Sequence, residues 1–295
     1  MAGNPTRFDA YIVEEVNKYQ GQIVPVKASL LERIFVRKIS CKRMHPNPYD
    51  EFSQPEVGPN YEIISGYERS LKNAMKHRDE DVAWDDPILV EKMLPDGYLI
   101  LNGHHRWAAA VRLGLPRIRI RVVNLTQETD IRKMLELSEH DKRVTFDLDE
   151  VIFVHEDDTT AKERAGVIRG LIYKERLKLG VPALFHFLAT KGYDIWVYSS
   201  EYYSMEYIRK LFKGYHVPVN GIVTGTSMPS EKSEENRQKV KDMIQAHYAE
   251  TLHIDKAGLL RSFSDEREFE QYDLDGTDED WSRELMNIIG RIHKQ

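Results

Sequence analysis

The chain has 295 residues and a net charge of −6, from 42 basic and 48 acidic side chains. Its length predicts about two domains, and its 41% of hydrophobic residues exclude disorder of most of the chain. The negative charge argues against a protein that coats nucleic acid non-specifically. A single cysteine, Cys41, excludes an internal disulfide, and no apolar run reaches the ~20 residues of a membrane span, so we expect a protein of the reducing cytoplasm.

The first half of the chain is predicted to be an α+β domain over residues 31–125, preceded by an N-terminal arm over 1–30. One helix, Arg7–Lys18, is predicted within the arm. In the loop 45–59, four prolines in fifteen residues exclude a helix and a central strand. The strands of this domain are predicted at Glu32–Ser40, Pro87–Met93, Tyr98–Leu101 and Arg117–Asn124, and its helices at Tyr61–Lys76 and His104–Leu113.

The second half is predicted to be an α/β domain over residues 143–295, joined to the first by a helical linker over 126–142. Short buried-type strands alternate there with helices, which indicates βαβ units in a parallel sheet covered by helices. The strands are predicted at Arg143–Leu148, Asp194–Tyr198, Asn220–Thr224 and Thr251–Asp255, and the helices at Pro182–Lys191, Ser204–Lys213, Ser233–Tyr248 and Asp278–His293.

The segment Leu99–Trp107, LILNGHHRW, predicts an anion site at a strand-to-helix turn. A helix N-terminus offers unpaired N–H groups and the positive end of the helix dipole. Gly103 allows a phosphate to approach the backbone, and His104, His105 and Arg106 add donors in the first turn. An ordinary tight turn whose arginine pairs with a nearby carboxylate is the alternative interpretation.

The same segment resembles the ParB/sulfiredoxin superfamily, whose Gly-x-x-Arg turn at a helix start binds nucleotide phosphates. The resemblance covers residues 31–125 and implies ATP, ADP or CTP as the nucleotide. Sulfiredoxins carry a cysteine where this chain has His104, and chromosome-partition members continue into a helix-turn-helix domain where this chain has an α/β domain. The Gly-His-His-Arg version is most similar to the free-serine kinases of the superfamily.

Those kinases use a loop glutamate as base, and the resemblance assigns this role to one acid of Asp50-Glu51, with Glu51 favoured. Phosphoryl transfer to an alcohol requires a carboxylate near the attacking hydroxyl, and a loop framed by prolines holds an acid in place. Two solvated turn residues are the alternative.

Acidic side chains follow the first strand of the second half, in VTFDLDEV. Ligands collect at the carboxyl ends of parallel strands, and carboxylates there suit Mg²⁺. The pattern resembles the haloacid dehalogenase (HAD) superfamily. That resemblance implies Asp147 as nucleophile and metal ligand, Asp149 as general acid/base and metal ligand, Ser199 and Lys232 as phosphate-binding residues, and Asp255 as the remaining metal ligand.

The chain departs from the HAD pattern at Lys256, where members of that superfamily often have a second acid. A cation at this position weakens a Mg²⁺ site, so a degenerate domain kept as scaffold is an alternative to an active one. The segments between the predicted strands leave room for little or no cap.

We expect a two-domain phosphate-handling enzyme, in which a nucleotide-dependent kinase of small hydroxyl compounds is joined to a Mg²⁺-dependent HAD-type phosphohydrolase. Two alternatives stay open. One is a nucleotide-gated ParB-like module that binds DNA or a partner and carries a degenerate HAD domain. The other is a nucleic-acid end-processing phosphatase, although no P-loop is present.

Overall fold

The computed structural model of the chain describes residues 7–19, 21–77, 86–154, 161–164, 173–225, 231–256, 258–264, 269–274 and 280–294. These residues form two units, one ending at Asn124 and the other holding the described chain from Leu125 onward. No helix within the described ranges combines the length and the apolar character that crossing a membrane requires.

The first unit packs helices on a six-stranded mixed sheet. Its helices are α1 (Arg7–Lys18), α2 (Leu30–Ile34), α3 (Tyr61–His77) and α4 (His104–Arg112). Its strands are β1 (Val24–Pro25), β2 (Arg37–Ser40), β3 (Met44–His45), β4 (Ile88–Leu94), β5 (Tyr98–Asn102) and β6 (Arg117–Val123).

The strand order of this sheet is β2-β6-β4-β5-β3, with β1 paired to β4. Strands β4 and β6 run parallel, and β5 returns antiparallel to β4. Ile88, Val90 and Ile100 are fully buried in the core between sheet and helices, where Ile64 of α3 and Trp107 of α4 join them. Because β5 ends directly before Gly103, α4 starts at the carboxyl end of this strand.

The strand predicted over Glu32–Ser40 is wrong in its first half, where α2 stands instead. Ser29 Oγ accepts a hydrogen bond from the amide of Glu32, and the Glu32 carboxylate accepts one from the amide of Ser29 at 2.8 Å. This capping box satisfies two amides that a helix start leaves open, and it outweighs the strand preference of the following residues. The strand begins only at Arg37.

The second unit contains a six-stranded sheet and a two-stranded sheet. Its helices are α5 (Glu128–Glu136), α6 (Val181–Thr190), α7 (Met205–Gly214), α8 (Glu231–His247) and α9 (Trp281–Ile292). Its strands are β7 (Lys142–Asp147), β8 (Phe153–Val154), β9 (Arg176–Leu177), β10 (Tyr193–Tyr198), β11 (Gly221–Val223), β12 (Glu250–Ile254), β13 (Gly258–Phe263) and β14 (Phe269–Asp273).

The order of the larger sheet is β11-β10-β7-β12-β13-β14, with the first four strands parallel and the last two antiparallel. The four predicted strands therefore lie side by side as a parallel sheet. Apolar side chains of α6, α7 and α9 cover one face, and those of α5 and α8 cover the other. Strand β8 follows β7 through a π-helical turn and pairs antiparallel with β9, and part of the segment where no cap was expected lies outside the described residues.

The helix predicted as a linker packs inside the second unit. Ile131 and Met134 of α5 are buried in one cluster with Trp196 of β10. Thr126 Oγ1 donates to the carbonyl of Ile222 at 3.0 Å and accepts from the amide of Thr224 at 3.1 Å. Because one face of α5 is apolar, the helix gains more from burying that face than from bridging two domains in solvent.

Candidate functional site

The helix α4 begins at Gly103 without a side-chain cap. Gly103 has φ +102°, a conformation that side-chain-bearing residues rarely adopt, and a β-carbon there would lie 3.1 Å from Ile88 Cγ1. The first intrahelical bond runs from the amide of Trp107 to the carbonyl of Gly103 at 2.9 Å. The preceding amides of the first turn are the groups that a helix start leaves open, and the glycine keeps them accessible to an anion.

His104 is a buried hydrogen-bond acceptor. Its Nε2 accepts from the amide of Asn47 at 3.1 Å, so the ring proton lies on Nδ1, which is 3.5 Å from Asp50 Oδ1. The Phe52 ring stacks on the imidazole with centroids 5.4 Å apart. Burial lowers the pKa of His104 to about 4, against the opposing charge of Asp50 and with a smaller contribution from His105. The ring is therefore neutral at pH 7.

His105 plays the same part toward a second backbone amide. Its Nε2 accepts from the amide of Asn60 at 3.1 Å, and the edge of Phe52 contacts it at 5.1 Å between centroids. Burial lowers the pKa of His105, and the charge of Asp50 opposes this shift. Both histidines thus use Nε2 to hold the preceding loop, a role that the sequence did not reveal.

Arg106 is buried, and one nitrogen of its guanidinium lacks a hydrogen-bond acceptor among the described residues. Its Nη2 donates to Oδ2 of the exposed Asp86 at 2.7 Å, and the guanidinium lies 5.5 Å from the centre of the Tyr67 ring. Only 8% of the residue is exposed, and the buried Nη1 has no hydrogen-bond partner among the described residues. A buried donor without a partner is costly, and a ligand oxygen at this position removes the cost.

Of the two loop acids, Asp50 contacts the turn at Gly103–Arg106, whereas the sequence favours Glu51 for that place. Asp50 Oδ1 caps a short 3-10 turn by accepting from the amide of Phe52 at 3.0 Å, and the same carboxylate faces His104. Glu51 stands first in this turn, Glu51–Ser53, and is exposed to solvent. The structure thus brings Glu51 to the neighbourhood of α4 through its two neighbours in sequence.

The predicted site residues of the second unit are tied to backbone and hydroxyl groups. The Asp147 carboxylate accepts from the amides of Asp149 and Glu150, both at 2.8 Å. Burial raises the pKa of Asp147, and the bond from the amide of Glu150 opposes this rise. The Asp149 carboxylate accepts from Ser199 Oγ at 2.8 Å and from the amide of Ser200 at 3.0 Å. Asp149 and Ser199 are thus adjacent, and their catalytic and phosphate-binding roles stay predictions from the HAD resemblance.

The metal set of Asp147, Asp149 and Asp255 does not form in the described residues. No group of three or more His, Cys, Asp or Glu side chains converges there on one point. Asp255 Oδ1 instead accepts from the amide of Gly258 at 2.9 Å and closes the turn into β13, next to the exposed Lys256. The arrangement of the described carboxylates thus gives no support to a Mg²⁺ site, which stays a prediction from the HAD resemblance. Lys232 lies in α8, in a stretch whose side chains are not described.

Sequence reasoning missed the residues that connect the loop to the turn. Asn60 had a signal, because Asn directly before a predicted helix is a preferred N-cap. Asn60 Oδ1 accepts from the amides of Glu62 and Ile63 at 3.0 and 3.3 Å. Asn47 had none, since its contribution to the site is a backbone amide.

Comparison with known proteins supports the assignment of the first unit. Residues 28–138 match the model of the ParB N-terminal domain, which confirms a ParB-like domain in this part of the chain. No curated protein matches the chain.

One solved structure similar in sequence is the C-terminally truncated chromosome-partitioning protein ParB from Caulobacter crescentus, complexed with CTP-gamma-S. The two chains share 24% identity with a TM-score of 0.24, over 36% of this chain and 56% of that one. The match thus spans little more than half of that protein.

Proposed function

We propose that the first unit is a nucleotide-binding module of the ParB type, in which phosphates bind at Gly103–Arg106 and nucleotide occupancy gates the binding of DNA or a protein partner. The observation that carries the proposal is the buried Nη1 of Arg106, which has no partner among the described residues. It stands two residues into a helix whose start is uncapped. The match to the ParB N-terminal domain over 28–138 supports the same reading.

The charge balance at Arg106 favours an oxyanion. Its ion-pair partner, Asp86, is exposed to water, whereas the guanidinium is buried. A phosphate oxygen satisfies Nη1, and the phosphate also accepts from the open amides of α4, so the anion gains several charge-assisted hydrogen bonds together. A hydrogen bond to a charged group contributes about 1.5–3 kcal/mol, which corresponds to roughly a tenfold to a hundredfold change in affinity.

Calorimetric titration of the full chain with CTP and ATP, each with Mg²⁺ in the buffer, tests this proposal. Arg106→Ala should weaken binding by about a hundredfold, because it removes both the charge and the fork of donors. Arg106→Lys should retain part of the affinity, since lysine keeps only the charge. Arg121→Ala, an exposed arginine of the same unit, is the matched control and should bind as the unaltered chain does.

The absence of binding of either nucleotide to the unaltered chain would contradict the proposal, as would equal affinities of the Arg106→Ala and Arg121→Ala variants. Gating is measured by the same chain's affinity for DNA with and without nucleotide at two salt concentrations, since contacts to the phosphate backbone weaken as salt rises.

A second candidate function, phosphoryl transfer to a small hydroxyl compound, is favoured by the position of Glu51. Asp50 and Phe52 fasten the short turn against His104 and leave the Glu51 carboxylate exposed between them. Such a carboxylate suits a general base that accepts the proton of an attacking alcohol. Hydrolysis by the second unit stays a prediction from the HAD resemblance.

Glu51→Gln separates transfer from binding. We expect this variant to bind nucleotide as tightly as the unaltered chain, and to lose at least about a hundredfold in the rate of ADP formation from ATP and serine. Glu56→Gln changes another exposed acid of the same loop and should leave the rate unchanged. If the unaltered chain forms no ADP in the presence of serine, this second function is wrong, while the binding module stands.

A further inference from the structure

The loop from Asn47 to Asn60 is fastened at both ends to two consecutive residues of α4. At its start, the amide of Asn47 donates to His104 Nε2 at 3.1 Å. At its end, the amide of Asn60 donates to His105 Nε2 at 3.1 Å. Both bonds join residues more than 40 positions apart in the sequence, so each one is a tertiary contact and neither is a local turn.

The first bond is reinforced by packing. Asn47 and His104 are both almost fully buried, and Phe52, from the middle of the loop, is 2% exposed and stacks on His104. The Asn47 side chain itself accepts from the amide of Tyr49 at 3.1 Å, which stiffens the start of the loop. The loop therefore lies against the helix start along its first half.

The second bond sets where α3 begins. Asn60 caps this helix with Oδ1, so its own amide has no intrahelical partner, and His105 supplies the acceptor. The starts of α3 and α4 are joined in this way by one side chain. Because Tyr67 of α3 lies beside the Arg106 guanidinium, the position of α3 also decides how Arg106 is held.

Only a neutral imidazole with its proton on Nδ1 accepts at Nε2. Burial keeps both rings neutral by lowering the pKa of each; the charge of Asp50 opposes this shift at both rings, and His105 adds to it at His104. Neither ring therefore brings a positive charge to a phosphate at neutral pH. The two histidines of the turn differ in this from the role of donors that the sequence had suggested for them.

We propose that His104 and His105 are positioning residues, which fasten the loop 47–60 beside the turn Gly103–Arg106 and so place Glu51, Ser53 and Arg106 for the ligand. This inference rests on the proposed nucleotide function. Ser53 carries a buried Oγ without a hydrogen-bond partner among the described residues, as Arg106 does at Nη1. Each of these two unsatisfied polar atoms, one in the fastened loop and one in α4, is a group that a polar ligand would satisfy.

The test replaces the acceptor and then restores it. In His105→Phe the ring remains but the acceptor is lost, whereas in His105→Gln the side-chain oxygen stands near the place of Nε2. Amide hydrogen exchange of the loop peptide that contains Asn60, and calorimetric titration with CTP and ATP, are measured on the full chain. His186→Phe, an exposed histidine of the second unit, is the control.

We expect His105→Phe to speed exchange at Asn60 about tenfold and to weaken nucleotide binding about tenfold, which is the loss of one hydrogen bond. His105→Gln should restore both quantities to within about threefold of the unaltered chain. His104→Gln, compared with His104→Phe, gives the same contrast at Asn47.

The outcomes separate the two claims. Unchanged exchange in His105→Phe overturns the fastening, and faster exchange with unchanged nucleotide affinity overturns the positioning role. Failure of the glutamine variant to restore affinity, with exchange restored, also overturns it. If the unaltered chain binds no nucleotide while His105→Phe speeds exchange, the proposed function has failed and the fastening itself is supported.

Discussion

Replacing Asp194 with alanine is expected to lower the free energy of unfolding of the second unit by about 4 kcal/mol. Asp194 is completely buried at the start of β10. Its carboxylate accepts from His140 Nδ1 at 2.8 Å, from the Tyr248 hydroxyl at 2.9 Å, and from Ser138 Oγ. Removing it leaves three donors without their acceptor, and losses of this size follow when one member of a buried polar network is deleted.

The residues around Asp194 also include Arg143 on the neighbouring strand β7. Arg143 of β7 lies directly opposite Asp194, and its guanidinium sits 5.5 Å from the ring of Tyr248, whose hydroxyl binds Asp194. Tyr248 accepts in turn from Trp196 Nε1 at 2.9 Å. The carboxylate thus connects the segment after α5, strand β10 and the residue that follows α8.

The measurement is urea denaturation followed by hydrogen exchange of the β10 peptide, which reports the second unit alone. Asp242→Ala is the control, because Asp242 is exposed and accepts from Gln238 within α8; we expect a change below about 0.5 kcal/mol there. Asp194→Asn keeps the shape and should lie between the two. A loss below about 1 kcal/mol in Asp194→Ala would show that the network is not a stabilising one.

Replacing Gly103 with alanine is expected to destabilise the first unit by about 2 kcal/mol and to weaken nucleotide binding at least about tenfold. The backbone there has φ +102°, and the added β-carbon would lie 3.1 Å from Ile88 Cγ1 and 3.4 Å from its Cγ2. Alanine resists this conformation, so either the turn strains or it changes shape. A changed turn also re-aims the open amides of α4.

Gly66→Ala is the matched control for this substitution. Gly66 lies within α3 of the same unit, and a β-carbon there meets nothing within 4 Å. Alanine in a helix interior is better than glycine by about 0.5–1 kcal/mol, so this variant should gain stability. If the turn conformation is required, chemical denaturation gives changes in stability of opposite sign for the two variants. Nucleotide titration then shows the loss of affinity in Gly103→Ala. A Gly103→Ala chain as stable and as tight-binding as the unaltered one would contradict the account of the turn.

The sequence predicted the elements where periodicity was strong and failed where a local contact overruled it. The four parallel strands of the second unit follow from buried-type runs separated by helical patterns, and the structure has all four. A strand is predicted from Glu32 onward, yet the reciprocal bonds of Ser29 and Glu32 make Leu30–Ile34 a helix. The polar and charged composition of residues 126–142 predicts a linker, whereas the apolar face of α5 is buried in the second unit.

The sequence predicted the part of the candidate site whose residues are neighbours in the chain. The glycine, the two histidines and the arginine stand together in the chain, so one strand-to-helix turn was enough to place Gly103–Arg106 at a helix start. The predicted set of Asp147, Asp149 and Asp255 required two strand ends to aim three carboxylates at one point. In the structure, Asp255 and Asp149 bind nearby amides and hydroxyls instead.

By itself, the sequence determined the alternation of strands and helices, the place of the strand-to-helix turn at Gly103 and the residues at its start, because these depend on neighbours within a few positions. Only the tertiary structure decided that His104 and His105 are neutral acceptors, that Asp50 faces the turn, and that one donor of Arg106 is buried without a partner. The charge and hydrogen-bonding role of a side chain depend on burial and on partners distant in sequence, and these exist only once the chain has folded.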